Sequence, residues 1–506
     1  MRPVSRKRRS AGGGIAQLHW SAVSNPFSAL EVLSADQIEA IHLTSLRMLE
    51  EIGVELMSPA ARSLLRSRGA SVDESTGVVK MDRALIDWAL GEVPRSFTLT
   101  SRNPRKQLVI GGRNVAFGLV AGPPFVHDFE RGRRAGNYAD YCDFIRLAHY
   151  FNAIHLIGNQ VCAPVELPAN SRHLDAYRAN ILYSDLAYHC TAIGAGRALD
   201  GIEMMAISRG MTPEQMAASP GVLTIISVNS PRRFDEAMAE GLMAMAQHGQ
   251  PVVVTPFTLM GAMAPVSLAG ALAQQNAEVL FGLVLAQAVR PGTPVMYGAF
   301  TSNVDMRSGA PAFGTPENTK ANIASGQLAR RYGLPYRTSN ASASNVADAQ
   351  GAYETQMSLW GAILGHGNLI YHAAGWQEGG LVASFEKLVL DVEMQQMMIE
   401  FLKPIVVNEA ELGLAAQREV APGGHFFGAA HTMQRYENAF YQPLVSSWQS
   451  YENWQASGGK DATQRATAVW KRALADYTAP DLEPAVREEL DAYVARRREA
   501  IGAGEP

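Results

Sequence analysis

The chain has 506 residues, with 44 Lys and Arg against 48 Asp and Glu, for a formal net charge of −4. Hydrophobic residues make up 47% and charged residues 18%, a globular balance that excludes a disordered chain and gives no general reason for nucleic-acid binding. The length requires one large domain with appendages, or two to three domains.

Residues 1–9 are basic, but no apolar stretch follows them. They read as a solvated start and not as a secretory signal, and residues 1–30 as a disordered or extended arm. Residues 31–110 read as a helical region. Ser34 is a candidate N-cap with Gln37 at N3, and apolar residues recur at helical spacing from Ile38 to Ile52, where Gly53 ends the run. Two further helices are expected at 60–68 and 82–91.

From residue 111 to 405 short apolar runs alternate with amphipathic ones. The runs are 115–119, 155–161, 188–193, 222–228, 252–257, 295–300, 334–339 and 368–373. Helical patterns at 137–151, 170–184, 197–208, 233–247, 267–289, 316–331 and 348–364 separate them, and one at 386–402 follows the last. Eight strand–helix units predict an α/β fold, a closed (β/α)8 TIM barrel. Residues 406–506 break the pattern and form a C-terminal extension, with a glycine-rich stretch at 421–424 and a charged helix at about 483–500. That helix reads as solvated surface. The longest apolar run, 277–289, is interrupted by Glu278 and Gln287 and is too short to span a bilayer. Cys142, Cys162 and Cys190 lack metal-ligand spacing and read as core residues of a reducing, cytoplasmic compartment.

In such a barrel the reactive groups stand where the strands end. These positions hold Asn159 and Gln160, Asn229, Thr258, then Asn303, Asp305 and Arg307. Arg337 to Asn340 end the seventh strand, and His372 leads to Trp376, Gln377 and Glu378 after the eighth. Taken singly, Asn229 also reads as a helix cap, Asp305 and Arg307 as an ion pair, and His372 as a core histidine. No HExxH, Walker loop or dinucleotide-binding glycine motif is present, which disfavours simple zinc hydrolysis and hydride transfer on a Rossmann domain.

Several runs together carry a resemblance. Tyr297-Gly-Ala-Phe-Thr-Ser-Asn-Val-Asp-Met-Arg-Ser-Gly, then Gly314-Thr-Pro-Glu and Arg331-Tyr-Gly-Leu-Pro, resemble the trimethylamine methyltransferase family. So does Glu378 followed by Gly379-Gly-Leu-Val-Ala-Ser-Phe-Glu-Lys-Leu-Val-Leu-Asp, and more weakly Met48-Leu-Glu-Glu-Ile-Gly-Val. The family's archaeal trimethylamine enzymes carry pyrrolysine in the strand-seven loop; here that position falls at or near Ala341. The resemblance therefore implies the non-pyrrolysine branch. Its members move a methyl group from glycine betaine or a related quaternary amine to cob(I)alamin held by a separate corrinoid protein.

The resemblance implies a metal-free site, with no corrinoid motif of the chain's own. A trimethylammonium group needs aromatic faces with an anion nearby. Phe257, Tyr297, Tyr353, Tyr371 and Trp376 are the candidates, with Glu378 or Asp305 as the anion and Asn229 as a further substrate contact. A betaine carboxylate needs an arginine fork, Arg307 first and Arg337 second. Asp305, His372 and Glu378 are the candidate catalytic groups. Trimethylamine or another methylamine as donor, a non-catalytic quaternary-amine binding protein, and a decarboxylase or lyase working through Asp305 and Arg307 remain as alternatives. A homo-oligomer is possible, and no nucleic-acid or membrane partner is expected.

Overall fold

The computed structural model describes residues 14–502. Eight parallel strands close on themselves: β1 (Asn114–Leu119), β2 (Leu156–Ile157), β3 (Ala187–His189), β4 (Val222–Val228), β5 (Val252–Pro256), β6 (Val295–Gly298), β7 (Tyr336–Ser339) and β8 (Leu369–Ala374). Each pairs with the next, and β8 pairs with β1 to complete the barrel. The second and third strands are shorter than expected. Beyond Ile157 the chain passes Gly158, where a Cβ would lie 2.1 Å from the Val120 carbonyl oxygen, and turns through Gln160 at φ 44°.

The helices outside the barrel are α1 (Tyr138–Tyr150), α2 (Arg172–Tyr183), α3 (Ala195–Arg209), α4 (Glu236–Gln247), α5 (Leu268–Val289), α6 (Pro316–Tyr332), α7 (Ala349–Leu364) and α8 (Phe385–Phe401). Two cores result. Outward-facing strand residues pack on the helices, and a smaller set that includes Leu156, Leu223, Val253, Met296 and Leu369 fills the barrel. Helix α5 is long and apolar enough to cross a membrane, yet 83% of its most apolar window is buried inside the protein, as for a core helix. All three cysteines are free and buried.

The N-terminal region is less helical than its sequence pattern implies. Helices Ala35–Arg47, Pro59–Ser67 and Arg83–Glu92 form, the first with the expected capping box of Ser34 and Gln37. Between them Val54–Leu56, Ser71–Asp73 and Val78–Lys80 make a small sheet, which Arg233–Phe234 joins by pairing with Glu55 and Leu56. Short two-sided strands of this kind carry too few residues for a period to register. Residues 14–30 run extended beneath the barrel. Leu18 N–H donates to Gln396 Oε1 at 2.8 Å, and Val23–Ser24 pairs with the start of β1. The basic cluster of residues 1–9 lies outside the described residues.

The charged C-terminal helix, Pro484–Gly502, is more than solvated surface. Asp491 pairs with Arg178 and Arg498 with Asp175, while Tyr493 and Arg497 both bond Asp200. Helix Ala462–Asp476 packs on α8, where Trp470 donates its indole N–H to Glu386 at 2.8 Å.

Candidate functional site

The loops after β5, β6 and β8 bring aromatic rings together at the barrel mouth. Phe257 and Phe300 lie 5.1 Å apart between centroids, Phe300 and Phe313 5.3 Å, Phe313 and Trp376 5.1 Å, and His372 and Trp376 5.2 Å. Phe257 and Phe300 are half-buried and form the open side. His372 has φ 56°, and the register of β8 with β1 shifts between Ile370 and Ala374. This bulge turns the imidazole into the cluster, a local strain of the kind that collects at functional sites.

Beneath the rings lies Arg337, 1% exposed and the bulkiest fully buried side chain among the described residues. It stands on β7 in register with Leu369, a residue of the barrel interior, so it points inward. Gly298 lies beside it on β6; a Cβ there would fall 2.1 Å from Thr255 Oγ1. The guanidinium donates from Nη1 to the Ala299 carbonyl at 3.1 Å, and its Nε has no acceptor in the protein. It is 5.4 Å from the Phe300 ring centroid and 5.2 Å from that of Tyr371. No carboxylate answers its charge, and burial pushes its pKa down to about 10.

Tyr371 fills the interior next to Arg337. Gly118 makes room for it, because a Cβ there would lie 2.8 Å from the ring. Its hydroxyl accepts from the Asn159 N–H at 2.9 Å and meets His189 Nδ1 at 2.5 Å. His189 Nε2 accepts from the Ile225 N–H, so the proton of the neutral ring sits on Nδ1 and donates to Tyr371. Burial, and then Arg337, push the His189 pKa down to about 3. The same causes hold His372 well below its ordinary value.

The loop after β7 is held by Glu354 of α7. Its carboxylate accepts from Ser342 Oγ, Ala343 N–H and Ser344 N–H at 2.8–3.0 Å. Ala341 is buried at the start of this loop, its N–H on Ser358 Oγ. The loops after β5 and β6 are tied to α5. Thr258 and Thr301 bond each other, and Thr301 donates to Gln275 Oε1 at 2.6 Å. Gln275 and Asn276 both reach Tyr297, and Asn276 bonds Tyr332, whose hydroxyl meets His42 of the N-terminal helix at 2.7 Å.

Of the residues singled out from sequence, Phe257, Arg337, Tyr371, His372 and Trp376 converge. Glu378 stands at the edge, where it forms a two-pronged ion pair with Arg133 at 2.8 and 3.1 Å. The others fall elsewhere. Tyr297 points outward into the layer of α5 and α6, because β6 alternates its faces. Tyr353 is 60% exposed on α7. Asn229 is exposed and pairs its backbone with Arg233 across a tight hairpin, while Asp235 caps α4. Asp305 and Arg307 form no ion pair. Asp305 caps its own exposed turn by accepting from the N–H groups of Arg307 and Ser308 and from Ser308 Oγ. Replacing Asp305 or Arg307 by Ala is expected to leave kcat/KM within about twofold, as for exposed positions generally; steady-state methyl transfer checks it.

His189, Phe300 and Phe313 were not singled out. Phe300 ends a predicted strand and was legible there. His189 sits in an apolar run that reads as core, and Phe313 comes from a loop excursion with no periodic signal.

Comparison with known proteins agrees with this geometry. The family model described as trimethylamine methyltransferase (MTTB) matches residues 2–502. The chain belongs to this family. Among its relatives, the glycine betaine methyltransferase of Desulfitobacterium hafniense is 36% identical over 472 residues, 93% of this chain and 98% of that one. A trimethylamine methyltransferase of the same species is 26% identical over 99% of both chains, and the proline betaine:corrinoid methyltransferase of Eubacterium limosum is 26% identical over 91% and 96%. The fold resembles the crystal structure of the Methanosarcina barkeri monomethylamine methyltransferase, with a TM-score of 0.51 at 10% identity over 88% of this chain and 94% of that one. The protein is thus a methyltransferase on a (β/α)8 barrel.

Proposed function

We propose that this methyltransferase takes a methyl group from a betaine, a quaternary ammonium that also carries a carboxylate, and delivers it to a corrinoid on a partner protein. The observation that carries the reading is Arg337. A buried guanidinium without a protein counter-charge is costly, and a planar two-oxygen anion is the ligand its fork fits. Trimethylamine has no such group. The relatives named for glycine betaine and proline betaine support the same choice.

With the carboxylate on Arg337, the ammonium would lie in the aromatic cluster above it, against Phe300, Phe257 and Trp376, whose ring faces attract a cation. His189 and His372 stay neutral by burial and so add no repelling charge beside the ammonium. A quaternary ammonium leaves as a neutral amine, so the protein has no proton to supply at nitrogen; its task is to orient one N–CH3 bond toward the mouth. The corrinoid, when its carrier protein is docked, supplies the cobalt nucleophile. The rim fits an apolar approach, with exposed side chains at Phe129, Val165, Val266, Met306, Val346 and Leu381 on the βα loops. Buried free cysteines accord with a cytoplasmic setting.

Methyl transfer to free cob(I)alamin, followed by absorbance with a panel of donors, tests the reading. Glycine betaine or another betaine should methylate, while choline and trimethylamine, which lack the carboxylate, should not. Equal rates with choline would remove Arg337 from substrate binding.

A further inference from the structure

The chain leaves the far end of α8 at Phe401 and makes an excursion through residues 405–440 before returning along the helix. This segment has almost no core of its own. Its only buried apolar residues are Ala416 and Ala429, while Ile405 is 91% exposed, Phe427 81% and Phe440 80%, with Val407, Leu412 and Met433 also exposed. Its helices Glu409–Leu412, Leu414–Glu419 and Ala430–Met433 span four to six residues, too short to persist on their own propensity. The apolar surface continues at its root. Phe401 packs at 5.1 Å on Phe27 of the N-terminal strap and at 5.0 Å on Trp360, and both phenylalanines remain partly exposed.

We infer that this arm is the interface through which two copies of the chain associate. The methyl-accepting partner does not fit here. It must reach the strand C-termini, whereas the arm springs from the opposite end of α8, whose 17 residues place it about 25 Å below the rim. The exposed apolar side chains of the arm and its root present an area on the order of the ~800 Å² per partner that a stable interface buries. Their character, large apolar groups among few charges, is that of a homodimer and not of a transient contact. A self-complementary patch repeated by a two-fold axis would cover the arm of each copy with that of the other.

The inference stands apart from the assigned chemistry, and its test reads mass first. Sedimentation of the full chain at micromolar concentration should give twice the chain mass, and Phe427→Asp with Phe440→Asp should give the single-chain mass with unchanged methyl transfer to free cob(I)alamin. A native monomer, or a double variant that stays dimeric, overturns the inference. So does a double variant that stays dimeric yet loses transfer only to protein-bound corrinoid, which would assign the arm to that partner. Should the variant fail to fold, hydrogen exchange of the native chain decides. Protection of 405–440 should rise with protein concentration, and concentration-independent exchange overturns the inference.

Discussion

Arg337→Met is expected to cut kcat/KM for a betaine by about 100- to 1,000-fold and, in the same protein, to raise thermal stability. Loss of one partner from a buried charged hydrogen-bond pair costs about 2–5 kcal/mol of binding, and ~1.4 kcal/mol is tenfold. Folding moves the other way. The free protein holds an unpaired cation inside the barrel, and replacing buried charge with a packed apolar side chain is often stabilising by about 1–4 kcal/mol. Methionine approximates the volume and fits irregular space. Arg337→Lys separates charge from geometry, since it keeps the cation and loses the planar fork, so activity should fall without the gain in stability. Melting curves in the absence of substrate and steady-state rates check both halves. A less stable Met variant with intact kinetics would mean that Arg337 serves the fold.

The second large effect is a loss of stability in mild acid. His155, His189 and His372 are fully buried and held neutral, with pKa values pushed down by burial to about 4 for His155 and about 3 for His189, and well below the ordinary value for His372. In the unfolded chain each titrates near ~6.5. Below that pH the unfolded state binds protons that the folded state refuses, so the stability present above ~6.5 is lost as pH falls toward the folded values. Each such histidine contributes a slope of about 1.4 kcal/mol per pH unit. Denaturant midpoints measured from pH 7.5 to 4.5 should therefore fall steeply below about pH 6.5, and His155→Gln, remote from the mouth, should flatten the slope. A midpoint unchanged between pH 7 and 5 would show that these rings are protonated in the folded protein.

The barrel was legible because its signal is redundant. Eight apolar runs at similar spacing outweigh errors in any one of them, such as the overlong second and third strands. The small N-terminal sheet was not, since three-residue strands leave no period to read. At the site, position along a strand identified Arg337, His372 and Trp376, whereas facing did not follow from composition. Tyr297 and Arg337 both sit at strand ends, one outside the barrel and one inside, and only the register of β6 with β7 separates them. The resemblance pointed to the loop of Asp305 and Arg307, whose turn is closed by Asp305 itself.

The hydrogen bonds from His42 through Tyr332, Asn276, Tyr297 and Gln275 to Thr301 and Thr258 end in the two loops that carry Phe257 and Phe300. The gap between those rings is thereby gauged from outside the barrel, by a helix that never meets the substrate. Head-group size, trimethylammonium against a bulkier cyclic ammonium, then becomes a quantity that substitutions in α5 adjust in small steps while every residue touching the ligand is retained.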